Sequence, residues 1–191
     1  MRIIAGSAKG KTLYSPPEKT RPTSDRAREG LFSSLESEFG SIKDLYFLDL
    51  FSGSGAVGVE ALSRGAAFVT SVEKDQKAAE IARKNFQLVN NAAGTFEVIS
   101  TDARNLVSDI SIREFDVIFI DPPYDLPNGE VEKLLKRIVK NNYLKPNGII
   151  AVERESKSKE FNWPAPLAAI KVRTYGQGSI YYGGNSDNFL P

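Results

Sequence analysis

From Leu45 onward the chain repeats one pattern: a short apolar run, a turn, an amphipathic stretch, then another short apolar run. That alternation leaves few architectures open, because strands joined through helices lie parallel and the helices must cover the faces of the sheet. The spacing predicts strands at Leu45–Leu50, Ala67–Glu73, Phe96–Ser100, Phe115–Ile120 and Gly148–Glu153. It predicts helices at Ala56–Arg64, closed by Gly65, at Asp75–Val89 and at Glu130–Lys140, with a short one around Ala103–Ser108. The end of the chain breaks the rule. Ala169–Tyr175 and Ser179–Tyr182 are separated only by Gly176-Gln177-Gly178, too little for a crossover helix, so they are expected to pair as an antiparallel hairpin at one sheet edge. The fold class is therefore α/β: a doubly wound, mostly parallel, seven-stranded sheet.

The first forty residues do not follow the alternation. Arg2-Ile3-Ile4-Ala5-Gly6 and Lys11-Thr12-Leu13-Tyr14 flank a Gly/Lys-rich turn and predict a small β-hairpin, ended by Ser15-Pro16-Pro17. Thr23 or Ser24 can cap a helix whose apolar positions are Ala27, Leu31, Leu35 and Phe39, with Phe32 beside them. We read residues 1–40 as an N-terminal hairpin and helix extension and residues 41–191 as one compact unit. Residues 1–30 carry seven basic and three acidic side chains, a local excess of +4 in a chain whose net charge is +1. A solvated face is the commoner meaning of such a segment, and nucleic-acid contact the alternative.

Cysteine and histidine are both absent. Those two zeros exclude disulfides, Cys/His zinc sites, Ser-His and Cys-His nucleophile systems and imidazole bases, and no metal is expected. Attack on a pyrimidine ring carbon through a cysteine adduct is excluded with them. No stretch approaches the roughly 20 apolar residues of a membrane span, and Met1–Gly6 is too short for a signal peptide, so a cytoplasmic protein without a membrane partner is expected.

Between the first core strand and its helix lies Asp49-Leu50-Phe51-Ser52-Gly53-Ser54-Gly55-Ala56-Val57-Gly58, with glycines at GxGxxG spacing in the right context for a nucleotide-type cofactor. Candidate cofactor residues are Asp49, Phe51, Ser52, Gly53 and Gly55. Glu73, at the end of the second strand, suits ribose hydroxyls. The glycines alone do not separate a nicotinamide from S-adenosylmethionine. Two features favour the latter: Asp49 precedes the glycines, where a carboxylate can face the methionine end, and Asp102 with Ala103 follows the third strand, where Asp102 can accept from an adenine amino group. Read blandly, the glycines serve packing and Glu73 and Asp102 cap helices.

The run Phe115–Ile120 ends in Asp121-Pro122-Pro123-Tyr124. Two prolines stop the strand, since proline lacks the ladder N–H and restricts its predecessor, which holds Asp121 and Pro122 at the strand's C-terminal edge. The chemistry suited to that edge is methylation of an exocyclic amine on a nucleobase. Such an amine is a poor nucleophile because its lone pair is conjugated into the ring. A carboxylate at Asp121 and a fixed carbonyl at Pro122 can accept its two hydrogens and drive the nitrogen toward tetrahedral geometry. Pro123 stiffens the turn, and Tyr124 offers a face for the base.

The whole chain resembles the RsmD-type methyltransferases. The likeness runs through Arg2–Gly6, Arg21-Pro22-Thr23-Ser24-Asp25-Arg26-Ala27-Arg28-Glu29, Leu31-Phe32, Leu48–Gly55, Asp121–Tyr124 and Tyr175-Gly176. Ser33 departs from it, where the family often has asparagine. The resemblance implies a class I, Rossmann-like fold, S-adenosylmethionine as methyl donor, and the N2 amine of one guanine in bacterial small-subunit ribosomal RNA as acceptor. It also implies an assembling ribosomal particle as partner of a monomeric enzyme. Lys9, Lys11, Arg21, Arg26 and Arg28 are the candidates for RNA phosphates. Rival readings are an adenine-N6 methyltransferase, a nicotinamide dehydrogenase, and a non-catalytic RNA-binding assembly factor.

Overall fold

The computed structural model describes residues 1–15, 24–158 and 160–188. The chain divides into two compact units, Met1–Ala103 and Arg104–Pro191.

The first unit opens with helix α1 (Asp25–Phe39), and Ser24 supplies the cap: its side chain accepts from the N–H of Ala27. Such a cap stabilises a helix by about 1 kcal/mol. The other capping candidate, Thr23, lies outside the described residues. Three parallel strands follow, β1 (Tyr46–Leu50), β2 (Phe68–Val72) and β3 (Thr95–Ile99), with β2 between the other two. Helices α2 (Ala56–Ser63) and α3 (Gln76–Gln87) make the crossovers. In β1 and β2 the last four residues are all buried, as expected for strands covered on both faces. Helix α3 turns Ala79, Ala82 and Phe86 inward, and Phe86 stacks on Phe96 of β3 with centroids 4.6 Å apart.

The expected N-terminal hairpin is present as a short one, with Arg2↔Thr12 as its antiparallel bridge. Across it Ile3 donates to Lys11 O at 3.0 Å, Gly10 to Ile3 O at 2.8 Å and Leu13 to Met1 O at 3.0 Å, while other donors reach α2. Ile4 and Ala5 donate to the two carboxylate oxygens of Glu60 at 2.8 and 2.9 Å, and Ala8 donates to Ser63 Oγ at 3.0 Å. Glu60 is fully buried in α2 and faces the equally buried Arg28 of α1, Nε to Oε2 3.6 Å. Arg28 also donates to Arg2 O at 2.6 Å and to Asp25 at 3.0 Å. Arg64 completes the set, bound to Glu60 at 3.0 Å and to Glu36 at 2.9 Å. The N-terminal segment is thus closed by its own backbone bonds and held against α1 and α2 by buried charge.

The second unit contains β4 (Phe115–Ile120), α5 (Asn128–Lys140), β5 (Leu144–Glu155), β6 (Leu167–Tyr175) and β7 (Gly178–Asn185), after the short α4 (Ala103–Leu106) that begins where the first unit ends. Strands β4 and β5 are parallel, and β7 lies antiparallel between β5 and β6. The terminal hairpin is therefore present, and among the described residues the strands number seven. Strand β5 starts earlier than its apolar run suggests: Phe115 pairs with Leu144, whereas Val117 pairs with Ile149, so Lys145–Gly148 bulge out of the ladder. Pro146, which has no N–H to give, explains why that stretch reads as a turn.

Candidate functional site

In the first unit, every candidate cofactor residue sits at the C-terminal edge of the three parallel strands, where open α/β sheets carry ligands. The loop after β1 is tightly wound. Phe51, Gly53 and Gly55 have φ of 64°, 53° and 76°, and the left-handed conformation is rare for a bulky residue such as Phe51. Ser52 donates to Val72 O at 2.9 Å and Gly55 to Ser52 O at 2.8 Å, which ties the loop to β2 and closes it on itself.

Glu73 holds this loop through its carboxylate. One oxygen accepts the N–H of Gly53 at 2.8 Å, the other that of Asp75 at 2.9 Å. The residue is only half-buried, so lone pairs remain to accept from a diol. Asp49 is buried, and its Oδ2 accepts the N–H of Gly58 at 3.1 Å. Helix α2 has glycine at its N-cap and no side-chain cap of its own, so a carboxylate from β1 satisfies one of its orphan donors. The three glycines separate by role. A Cβ at Gly58 would lie 2.6 Å from Ser71 Oγ, and one at Gly55 3.0 Å from Ala82 Cβ, so both serve close packing; at Gly53 it would meet nothing within 4 Å. Gly53 is therefore the place where backbone meets open space. Beside it, Ser52 Oγ is buried without a hydrogen-bond partner among the described residues. An orphan hydroxyl, an open glycine backbone and an accessible carboxylate fit a ligand with an amino-acid head and a ribose. Asp102 is half-buried and leads into α4, whose first residue, Ala103, is buried.

In the second unit, Asp121 follows the buried strand β4 and is itself half-buried; Pro122 is buried, and Pro123 and Tyr124 are exposed, Tyr124 to 38%. The prolines lead into a turn in which Leu126 donates to Pro123 O at 2.9 Å. Beneath that turn lies a residue to which the sequence assigned no role. Arg154, on β5 and 3% exposed, donates to Leu126 O at 2.7 Å and to Pro123 O at 3.4 Å. Burial lowers its pKa from the usual arginine value, and the neighbouring Asp121 carboxylate, with the phenols of Tyr124 and Tyr181, opposes that fall. A charged pair, Glu153-Arg154, at the end of the apolar run Ile149–Val152 was the signal that could have found it, because a charge in a core strand is rare without a partner.

The five RNA candidates have different fates. Lys9 and Arg26 are exposed. Lys11 is exposed but its ammonium caps the end of α3, bound to Leu88 O at 2.6 Å and Asn90 Oδ1 at 3.1 Å. Arg28 must be corrected: it is fully buried and its guanidinium is engaged by Arg2 and Asp25, so it has no surface to offer a phosphate. Arg21 lies outside the described residues.

Residues 1–183 match the family described as conserved hypothetical protein 95. The chain is 37% identical over 178 residues to ribosomal RNA small subunit methyltransferase D of Haemophilus influenzae, covering 92% of this chain and 89% of that protein. The solved structure of yhhF from Escherichia coli superposes with a TM-score of 0.84 at 30% identity, covering 97% of each chain. The rRNA methyltransferase aviRa of Streptomyces viridochromogenes, at 18% identity and a TM-score of 0.69, covers 98% of this chain and 93% of its own, which shows a shared fold. The seven-stranded mixed arrangement is accordingly the class I, Rossmann-like one.

Proposed function

The chain belongs to the conserved hypothetical protein 95 family, that of the RsmD-type methyltransferases, and from that premise we propose that it methylates the exocyclic N2 amine of a guanine in bacterial small-subunit ribosomal RNA, with S-adenosylmethionine as donor. Methylation of ribosomal RNA is supported by the near full-length relationship to ribosomal RNA small subunit methyltransferase D. The amine as acceptor rests on one observation: a carboxylate, Asp121, followed by two prolines at the end of a buried strand, in a turn held by a buried arginine.

S-adenosylmethionine, when bound, supplies an electrophilic methyl group on a sulfonium. In this reading Glu73 accepts from the ribose hydroxyls while keeping the Gly53 backbone in place, Asp102 accepts from the adenine amino group, and Ser52 Oγ, the Phe51–Gly55 backbone and Asp49 lie toward the methionine portion. Ala103 is the wall next to the adenine.

On the acceptor side, Asp121 takes one N–H of the amine and the Pro122 carbonyl takes the other. Each bond pulls the nitrogen out of conjugation, so that its lone pair is free for attack. Tyr124 stacks on the base, an interaction worth about 1–3 kcal/mol per base in single-strand binders. Transfer disperses charge, so orientation supplies most of the acceleration and no strong base is needed. After transfer the nitrogen is acidic, and its proton passes to Asp121 or to water. Lys9, Lys11 and Arg26 are the proposed phosphate contacts, and residues 1–40 the RNA-facing extension. A target base in a loop or single strand can be splayed out to reach such a site.

The test is direct. The protein is incubated with radiolabelled S-adenosylmethionine and small-subunit particles lacking their methylations, and the labelled nucleoside is identified after digestion. Label in N2-methylguanosine is the expected result. Label in N6-methyladenosine would reassign the acceptor, and no label in RNA would reduce the chain to a binding factor.

A further inference from the structure

We infer that Arg154 is a positioning residue for the methyl-transfer step, fixing the Asp121–Tyr124 segment by donating to the carbonyls of the turn that carries it. This rests on the assignment of that segment to the acceptor amine, and adds a residue to it.

The register carries the argument. Strands β4 and β5 are parallel and their last pair is Ile120 with Val152, so Arg154 lies two residues past the end of the ladder, beside the segment that leaves it. Pro122 and Pro123 have no N–H with which to carry the ladder on, so the segment leaves β5 and its carbonyls leave the ladder's donors behind. Strand β5 itself does not end there. It goes on to pair with β7, Arg154 opposite Ser179 and Glu155 opposite Gly178. The carbonyls of the diverging turn take their donors from a side chain instead, and the guanidinium provides them in fixed geometry, Nη1 to Pro123 O and Nη2 to Leu126 O. These carbonyls are the two ends of the turn that Leu126 N closes on Pro123 O.

One planar group thus grips both ends of the turn that follows Asp121 and Pro122. Its bonds go to Pro123 and Leu126 rather than to Pro122, the carbonyl assigned to the substrate. A lysine carries the charge but not the fork, so it cannot serve both carbonyls in the same way. The positive charge also lies near Asp121 and Tyr124, the two side chains assigned to the amine and the base. Arg154 acts through the backbone that carries them.

The experiment compares Arg154→Lys, Arg154→Met, Asp121→Asn and the double variant Asp121→Asn with Arg154→Met. Single-turnover methyl transfer, S-adenosylmethionine affinity by calorimetry and thermal melting are read for each. Displacing the segment by about an ångström is expected to slow transfer on the order of 10²-fold. Arg154→Met should show that loss with cofactor affinity within a few-fold of the parent, Arg154→Lys should recover only part of it, and the double variant should be no slower than Asp121→Asn alone. Parent-like transfer in Arg154→Lys and Arg154→Met, or losses that multiply in the double variant, would overturn the inference. Should Arg154→Met fail to fold, Arg154→Lys decides: a folded lysine variant with unimpaired transfer overturns it, and a slowed one with intact cofactor binding supports it. The underlying assignment fails separately, if Asp121→Asn itself transfers methyl at the parent rate.

Discussion

Glu73 accepts the N–H of Gly53 on one carboxylate oxygen and that of Asp75 on the other, so one side chain holds both the glycine loop and the start of α3. Two donors face it, which makes charge and symmetry both matter. Glutamine has a single acceptor oxygen, and its NH2 would oppose one of the N–H groups. Glu73→Gln is therefore expected to weaken S-adenosylmethionine binding about tenfold, the effect of one unsatisfied donor in a site of this kind. Isothermal titration would measure it; parent-like affinity would remove Glu73 from the cofactor site.

Asp121 is expected to matter for transfer and not for cofactor binding, because the proposed cofactor contacts are Gly53, Glu73 and Asp102. Asp121→Ala should lower the single-turnover rate by on the order of 10²-fold or more through loss of orientation. S-adenosylmethionine affinity should stay within a few-fold. A parallel collapse of both quantities would contradict the division of labour.

The basic N-terminal residues should separate into those that meet RNA and those that hold the fold. Removing Lys9 and Arg26 together by alanine is expected to weaken RNA binding and to flatten the slope of log K against log salt by about two, one for each phosphate that is no longer neutralised. Arg28→Ala should instead strike stability, since it removes the buried donor to Arg2 O and one of the two cations beside buried Glu60. With Arg64 still in place the loss should fall below that of a fully orphaned buried charge, about 3–5 kcal/mol. Denaturant melts and filter binding at several salt concentrations separate the two. A stable Arg28→Ala protein with weakened RNA binding would reverse the assignment.

Gly53 and Gly58 should also part company. Gly58→Ala forces Ser71 Oγ and Phe86 Cζ, 2.6 and 2.8 Å from the new Cβ, to move, and overpacking of this kind costs about 1–3 kcal/mol. Gly53→Ala meets no such crowding and strains only its φ of 53°. If the cofactor binds as proposed, its methyl would project toward it, and the affinity loss should exceed the stability loss. Melting and calorimetry on the pair give the comparison, and equal destabilisation of the two variants would argue against an open ligand face at Gly53.

Tyr143 gives a pH signature. Burial and the nearby charge of Asp109 raise its pKa above the ordinary 10.0, and its hydroxyl donates to Leu106 O at 2.6 Å. The folded state thus keeps the proton after the unfolded state has lost it. The associated stability is fully present below the unfolded pKa, near pH 10, and is lost as pH rises through the folded value. Tyr143→Phe should cost about 0.5–1.5 kcal/mol at neutral pH and show a shallower decline above pH 10. A decline as steep as the parent's would assign the alkaline loss to another group.

Much of this protein was legible before folding because it is local chemistry. The alternation of apolar runs and amphipathic stretches follows from how strands and helices bury one face or two, and glycine and proline act on their own backbone. The glycine loop, Asp121-Pro122-Pro123-Tyr124 and the terminal hairpin could therefore be read directly, with element ends displaced by a few residues where Pro146 hid the start of β5. What only the tertiary structure decided was the fate of charge. Arg26 and Arg28 are two residues apart and look alike in sequence, yet one is exposed and the other fully buried against Glu60. Glu60 sits in an otherwise apolar helix, and nothing local says that it will take the N–H groups of Ile4 and Ala5, more than fifty residues away. Arg154 reaches the proline turn because the parallel register places it just past the last pair, Ile120 with Val152. Propensity is a property of a residue and its neighbours, whereas a charge finds its partner wherever burial makes solvation unavailable, and that depends on the whole fold.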